Sequence, residues 1–368
     1  AAAGYALDGD GLDAGLADEA AALADAADVA VVVVGLPEHA ESEGFDRTTL
    51  ALPRGQRELL QRLTGGTTPV VVVLISGGVV DLEPWRADAA AILFAGLAGQ
   101  GVTTALAGLL TGAVSPSGRL AETFPLDLRD SPSHLSFPGA VGSGAYGEGL
   151  FVGYRGYDEL GRDVAFPFGH GLTYTEFAYG TPVVARTGDG WTGTIEVRNV
   201  GSHAARDVVQ VYASMPAPDD ARRPRQELVG FGSALLQPGE SRTIEIAIDD
   251  RALARWEPGR GWVTDAGIAA FAFARSSRDT IFTVDVDIEA AGASPALTPD
   301  STLSEWLDHP EIGPRVFARV RELDRIGNTI GLISDPTARL MIGGLPIKRL
   351  ALDAGNVLSL DLLEEVRG

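Results

Sequence analysis

The chain is 368 residues long and carries 50 Asp and Glu against 29 Lys and Arg, a net charge of -21. That length predicts two or three domains with separate apolar cores, and the acidity argues against nucleic acid as a partner, because phosphate affinity needs a basic face. Cysteine is absent and the five histidines are scattered, which excludes disulfides and thiolate chemistry, disfavours a metal site, and leaves carboxylate, hydroxyl and backbone chemistry.

No cofactor is expected, and the lack of cysteine does not choose between a cytoplasmic and a secreted protein. The first residue is Ala1, so the chain is expected to begin inside a longer protein.

Along the chain, Leu12 to Ala27 places apolar residues at helical spacing. Val29 to Val34 follows as a continuous apolar run, which predicts a parallel strand covered on both faces. A helix is expected over Gly55 to Leu63 and a second valine-rich strand over Pro69 to Ile75. The uncharged stretch Ala89 to Gly118 is long enough to span a membrane. Its glycines, Gln100 and Pro116 instead fit a strand at Ala90 to Phe94, a turn, and a packed helix at Val102 to Leu110; no membrane is expected. Strand and helix in repeated order predict an α/β sandwich with a mostly parallel sheet, whose ligands gather beyond the carboxyl ends of the strands.

From residue 126 to 180 periodicity gives way to Gly, Pro, Ser and aromatic residues, too long for a plain loop and so either functional or wrapped over a neighbour. Strand-period alternation then appears at Thr192 to Asn199, Asp207 to Tyr212, Ser241 to Ile248 and Ile281 to Ile288, which predicts an immunoglobulin-like β-sandwich. Helical patterns return at Leu303 to Leu307, Arg315 to Ile326 and Leu358 to Val366. The expected division is therefore an α/β domain over 1–125, a connecting segment over 126–180, a sandwich over 181–289, a linker over 290–300 and a helical extension over 301–368.

The loop after Val34 concentrates the chemistry. Glu38, His39, Glu41, Glu43, Asp46 and Arg47 fall within ten residues. Crowding of like charges favours a protonated carboxyl, the state a general acid needs near neutral pH. The plainer alternative is an acidic, solvated loop in which Asp46 and Arg47 form a structural ion pair. Gly77-Gly78, after the second strand, could cradle an anion, but no nucleotide-binding glycine pattern is present. Trp85, Phe137, Tyr146, Phe151, Tyr154 and Tyr157 could stack on sugar rings, with burial the expected fate of most; His170, flanked by glycines, could serve as a base, but without a Ser or Asp arrangement nearby it is expected to be a packing or hydrogen-bonding residue.

Glu41-Ser42-Glu43-Gly44-Phe45-Asp46-Arg47, followed by Leu50-Ala51-Leu52-Pro53 and Gln56, resembles the second-domain signature of glycoside hydrolase family 3, the β-glucosidase and β-xylosidase group. Pro116-Ser117-Gly118-Arg119-Leu120, Glu148-Gly149-Leu150-Phe151 and Pro167-Phe168-Gly169-His170-Gly171 continue the resemblance in order. Val208-Val209-Gln210-Val211-Tyr212 and Pro238-Gly239-Glu240-Ser241 resemble the fibronectin type III-like module of these enzymes. At Phe94 to Gly101 the chain departs from the usual pattern of an aromatic and Pro-Gly-Gln before a glycine pair.

The resemblance implies a retaining exo-β-glycosidase in which an Asp on an amino-terminal (β/α)8 barrel is the nucleophile. Glu43 on this chain is then the acid/base, with Glu41 the fallback and Asp46 and Arg47 supporting the loop. No stretch of this chain resembles the nucleophile strand, so the barrel is expected upstream or in a partner chain, and the isolated fragment is expected to be inactive. The implied partners are a glycoside or oligosaccharide and the barrel; a second copy of the chain is a further candidate. The alternative function is a non-catalytic carbohydrate-binding or scaffolding module, and a weaker one a flavodoxin-like nucleotide binder.

Overall fold

The computed structural model describes residues 2–6, 11–44, 46–140, 142–188, 190–218, 221–257, 260–292, 297–299, 301–351 and 357–367. The chain forms two compact units, Ala1–Leu253 with Asp265–Glu289, and Ala254–Thr264 with Ala290–Gly368.

The first unit opens with α1 (Ala14–Asp25), β1 (Ala30–Gly35), α2 (Arg54–Thr64), β2 (Val70–Ile75), β3 (Ala91–Phe94) and α3 (Val102–Leu110). The strands form a parallel sheet in the order β1-β2-β3, with Val32 beside Val72 and Val72 beside Ile92. Asp13 starts α1 by accepting a hydrogen bond from Leu16 N at 3.1 Å, satisfying one of the amides that a helix start leaves open. Leu59, Leu60 and Leu63 of α2 join Ala17 and Ala24 of α1 over Val32, Val34, Val72 and Leu74 to make the core.

Two expectations are corrected here. The β1 run is covered on one face only: Val31 and Val33 are each 48% exposed while Val34 is 1% exposed. A run of identical valines erases the alternation from which a one-sided strand would have been read. The α3 helix forms where expected, but none of its residues is buried, because apolar composition says nothing of which surface covers a helix. The uncharged stretch containing it resolves into β3, a 3₁₀ turn at Gly99–Gly101 and α3, and among the described residues no helix is long and apolar enough to cross a membrane.

The connecting segment has structure of its own. It contains α4 (Tyr154–Glu159) and β5 (Val164–Phe166), the latter pairing antiparallel with β4 (Phe124–Pro125). The sandwich follows as β6 (Phe177–Tyr179), β7 (Val183–Thr187), β8 (Gly190–Asn199), β9 (Ala205–Ser214), β10 (Glu227–Leu236) and β11 (Ser241–Asp249), then α5 (Asp250–Leu253). After β12 (Arg255–Glu257) and β13 (Gly261–Val263), which belong to the second unit, it is completed by β14 (Gly267–Ser276) and β15 (Asp279–Ile288). One sheet runs β10-β9-β14-β15 and the other β11-β8-β6, with β7 also on β8. Alternate side chains from the facing sheets, among them Ile195, Val197, Val209, Val211, Ile246, Phe271 and Phe273, form the second core, as inward alternation requires.

Backbone and buried polar contacts fasten the α/β part and the connecting segment to the sandwich. Leu120 N donates to His170 O at 2.9 Å, and Gly169 N donates to Leu120 O at 2.7 Å. Buried Gln210 on β9 then donates to Gly169 O at 3.0 Å and Arg275 O at 2.8 Å, and accepts from the Tyr212 hydroxyl at 2.6 Å. Gly169 sits at φ +80°, and a Cβ there would run into the Gln210 amide, which is why glycine is needed at that point of the motif. Arg119 reaches Asp207 at 3.3 Å, both side chains being almost wholly buried.

In the second unit, β12 and β13 form an antiparallel hairpin. Among the described residues six helices follow: α6 (Leu303–Asp308), α7 (Ile312–Leu323), α8 (Asn328–Ser334), α9 (Pro336–Ile342), α10 (Ile347–Ala351) and α11 (Leu360–Arg367). Thr302 and Glu305 start α6 with a reciprocal capping box, and Leu303, Trp306, Val316, Val320, Ile333 and Leu363 pack into a third core. The helices α8 to α10 lie outside the helical patterns expected from the sequence. Of the expected linker over 290–300, residues 293–296 and 300 lie outside the described residues.

Candidate active site

The loop that follows β1 begins at the carboxyl end of a parallel strand, the place where open α/β sheets gather ligands. Gln56, from the first turn of α2, fixes the start of the loop: its amide accepts from Gly35 N and donates to Gly35 O, both at 2.9 Å. One buried side chain thus continues the sheet pairing on the side of β1 where no strand pairs with it among the described residues. Pro37 then turns the chain, its carbonyl accepting from Ala40 N at 2.9 Å and Glu41 N at 3.1 Å. Beside this turn a cavity of about 210 Å³ is lined by Gly35, Leu36, Pro37, His39 and Gln56.

The two candidate carboxylates diverge beyond that turn. The Glu41 carboxylate accepts from Gly77 N at 2.7 Å and from Gly78 N at 3.0 Å. The anion that the Gly77-Gly78 amides cradle is therefore a side chain of the chain itself. A Cβ on Gly77 would meet the Glu41 carboxylate at 3.2 Å, so glycine lets the carboxylate approach. Glu43 is exposed, in a turn completed by Gly44 at φ +86°, a conformation open to glycine and strained for other residues. Phe45 of the motif lies outside the described residues.

Arg47 is half-buried and donates to Val79 O at 2.9 Å, while its Nη2 is sealed from solvent without a partner. Burial pushes its pKa down, and the negative charges of Glu41 and then Glu122 oppose that shift. Asp46 is exposed, and no Asp46–Arg47 ion pair forms among the described residues. The expected pair is thus replaced by a longer-range arrangement: Arg47 ties the far side of the loop to Val79, in the irregular segment after β2, near Glu41. Sequence adjacency suggested Asp46 as its partner; the charge that faces it came from six residues upstream.

This division of labour predicts distinct outcomes at the two glutamates. Glu41→Ala removes two charge-assisted hydrogen bonds and leaves Arg47 without its nearest counter-charge, a loss of about 2 kcal/mol or more locally. Thermal denaturation should show a lowered midpoint, and an added small anion should not restore lost activity, because the missing group acts through loop position.

The aromatic candidates sort by burial. Trp85 and Tyr157 are 1% and 5% exposed and belong to the packing of the unit. Tyr154 stacks on Phe168 with centroids 4.6 Å apart, meets Tyr212 edge-on at 5.9 Å, and accepts from Leu228 N at 2.7 Å. Arg222 lies over Phe151 at 4.8 Å. Phe137 and Tyr146 are exposed. His170 stacks on Phe166 at 5.0 Å, and burial, then the Arg119 charge, pushes its pKa down, which fits its expected place as a packing residue.

The carboxylate-bearing loop thus sits at the strand ends of a parallel-sheet α/β domain that an immunoglobulin-like sandwich follows. Residues 10–174 match the glycosyl hydrolase family 3 C-terminal domain and residues 207–277 the fibronectin type III-like domain. The chain belongs to glycoside hydrolase family 3.

It is 42% identical over 351 residues to an exo-alpha-(1->6)-L-arabinopyranosidase of Bifidobacterium longum, covering 95% of this chain and 46% of that protein. It is 41% identical over 292 residues to thermostable beta-glucosidase B of Acetivibrio thermocellus, covering 78% of this chain and 38% of that protein. Among solved structures it resembles the family 3 beta-glucosidase of Bifidobacterium adolescentis, with a TM-score of 0.79 and 41% identity over 85% of this chain and 46% of that one. Beta-glucosidase 3B of Thermotoga neapolitana in complex with glucose gives a TM-score of 0.70 at 33% identity, over 76% of this chain and 40% of that one. The chain therefore spans less than half the length of these relatives.

Proposed function

We propose that this chain is the acid/base-bearing part of a retaining exo-glycosidase that removes terminal β-linked sugars, glucosides or xylosides, with Glu43 as the acid/base. The observation that carries the reading is the unequal fate of the two carboxylates. Glu41 is spent on the Gly77 and Gly78 amides, whereas Glu43 is exposed beyond the strand end, free to meet a substrate. A retaining reaction needs a second carboxylate about 5 to 5.5 Å from the first, on the other side of the scissile bond. An Asp on an amino-terminal barrel, in the same longer chain or a partner, is the proposed source. Glu43 then protonates the leaving oxygen while that Asp forms a glycosyl ester, and the same Glu43 carboxylate takes a proton from the water that hydrolyses the ester.

The isolated chain, with one carboxylate of the pair, is accordingly inactive. The names of the relatives widen the substrate question. β-D-glucopyranosides, β-D-xylopyranosides and α-L-arabinopyranosides all present an equatorial anomeric bond in their chair forms, so one placement of acid and nucleophile serves all three. The match to the arabinopyranosidase also extends over more of this chain than the match to beta-glucosidase B.

The test is hydrolysis by the barrel-bearing protein of the p-nitrophenyl glycosides of the three sugars, with the anomer first released read by NMR. Release of the retained anomer from at least one of them is the expected result. Release of the inverted anomer overturns the mechanism. Tight sugar binding by the barrel-bearing protein without any hydrolysis would favour the non-catalytic carbohydrate-binding alternative.

A further inference from the structure

A second cavity, of about 380 Å³, opens within the first unit, where α4 and the turn after it pack against the sandwich. The side chains that line it are all polar or charged: Asp158 from α4, Ser214 at the end of β9, Arg225 and Gln226 ahead of β10, and Ser277 and Arg278 in the turn between β14 and β15, with Gly161 beside them. It is built from elements that do not include the Glu41–Arg47 loop, and the proposed acid/base chemistry uses none of its residues.

The hydrogen-bonding capacity of this wall is incompletely used. Arg278 donates Nε to Asp158 Oδ1 and Nη2 to Arg162 O, each at 2.8 Å, and Gln226 donates to Ser277 O at 2.6 Å. That leaves Asp158 Oδ2 and Ser277 Oγ without a partner, both sealed from solvent, and Ser277 as a residue is only 5% exposed. Arg225 is 66% exposed and reaches Glu159 only at 3.7 Å, so most of its donors point to solvent.

An unpartnered buried hydroxyl is costly to keep. It also has no bond to break when its rotamer turns toward a ligand. The accessible wall thus offers guanidinium donors, and a turn of the Asp158 or Ser277 side chain would bring beside them an acceptor-only carboxylate oxygen or a hydroxyl that can do either. An anion would satisfy the arginines and be repelled by Asp158 and Glu159. A vicinal diol satisfies both sets, one oxygen accepting from a guanidinium while its proton goes to the carboxylate.

We infer that this cavity is a binding site for a small neutral polyol, of the size of a free monosaccharide, separate from the catalytic loop and independent of the acid/base reading. The experiment is a titration of the isotope-labelled 368-residue chain with D-glucose, L-arabinose and glycerol, with inorganic phosphate as a fourth arm, followed by backbone amide NMR. Saturable shifts at Ser214, Gln226 and Ser277, with millimolar affinity, are expected for at least one polyol and not for phosphate. Ser277→Ala should weaken that binding about tenfold, the worth of one hydrogen bond to a charged or polar wall, and Arg225→Ala, at an exposed position, should weaken it without disturbing the fold. Glu43→Gln should leave it unchanged, which separates this site from the catalytic one. Saturation by phosphate alone, no saturable shift in any arm, or polyol shifts that persist in both cavity variants overturns the assignment.

Discussion

Glu43→Ala in the barrel-bearing protein is expected to slow hydrolysis of glycosides with poor leaving groups, such as a disaccharide, by about 10²- to 10⁴-fold, the range that general acid catalysis supplies. The size of the loss depends on the leaving group because the acid is needed only where the departing oxygen cannot carry negative charge by itself. With a dinitrophenyl glycoside, formation of the glycosyl ester should proceed at nearly its normal rate. Its hydrolysis should lag, because Glu43 is also the base that activates water. The ester then accumulates, and KM for the activated substrate falls together with kcat. Azide needs no base, so it should restore turnover and leave a glycosyl azide of retained configuration as product. Unimpaired hydrolysis of the disaccharide by Glu43→Ala would sink the assignment. Azide rescue of Glu41→Ala instead would transfer it to the fallback residue, against the hydrogen bonds that hold Glu41 on Gly77 and Gly78.

Which of these features could be read in the sequence follows from the range over which each cause acts. The α2, β8 and β11 elements announce themselves because burial of one face repeats at a local period, and β2 because its run is apolar from end to end. Gly44 and Gly169 stand out because left-handed backbone leaves a visible residue preference. Gln56 could be quoted as part of a motif, yet its use as a bridge to both backbone groups of Gly35 depends on a contact 21 residues away. The same limit explains the misassigned partner of Arg47, where proximity in sequence pointed to Asp46. Coverage of a surface is still less local: the valines of β1 and the apolar α3 look like any buried segment until the neighbours on each face are known.

The largest expected loss of stability lies at the junction, in the buried pair Arg119–Asp207. Arg119 is held at the end of the Pro116-to-Leu120 stretch, its Nη1 donating to Ser117 O and Gly118 O at 3.2 Å, while Nη2 reaches across to Asp207 on β9. Burial pushes the Asp207 pKa up and the Arg119 pKa down, so for both groups the removal of water outweighs the attraction of the partner. Arg119 Nε also lacks a partner, and the Tyr179 hydroxyl faces the Asp207 carboxylate as well.

A pair in this condition is marginal as a net source of stability, yet removing one member leaves an uncompensated buried charge. Asp207→Ala should therefore cost about 3 to 5 kcal/mol, while the double variant Arg119→Met, Asp207→Leu should cost far less than either single change. The pH dependence has a definite sign. Because the folded-state pKa of Asp207 is raised, the stability it contributes is fully present below its unfolded value and lost as pH rises through the folded value. Chemical denaturation of the wild type and Asp207→Asn across that interval should show their stabilities diverging as pH falls, with the wild type gaining relative to the variant. Additive losses in the single and double variants would mean that the two side chains act separately and not as a pair.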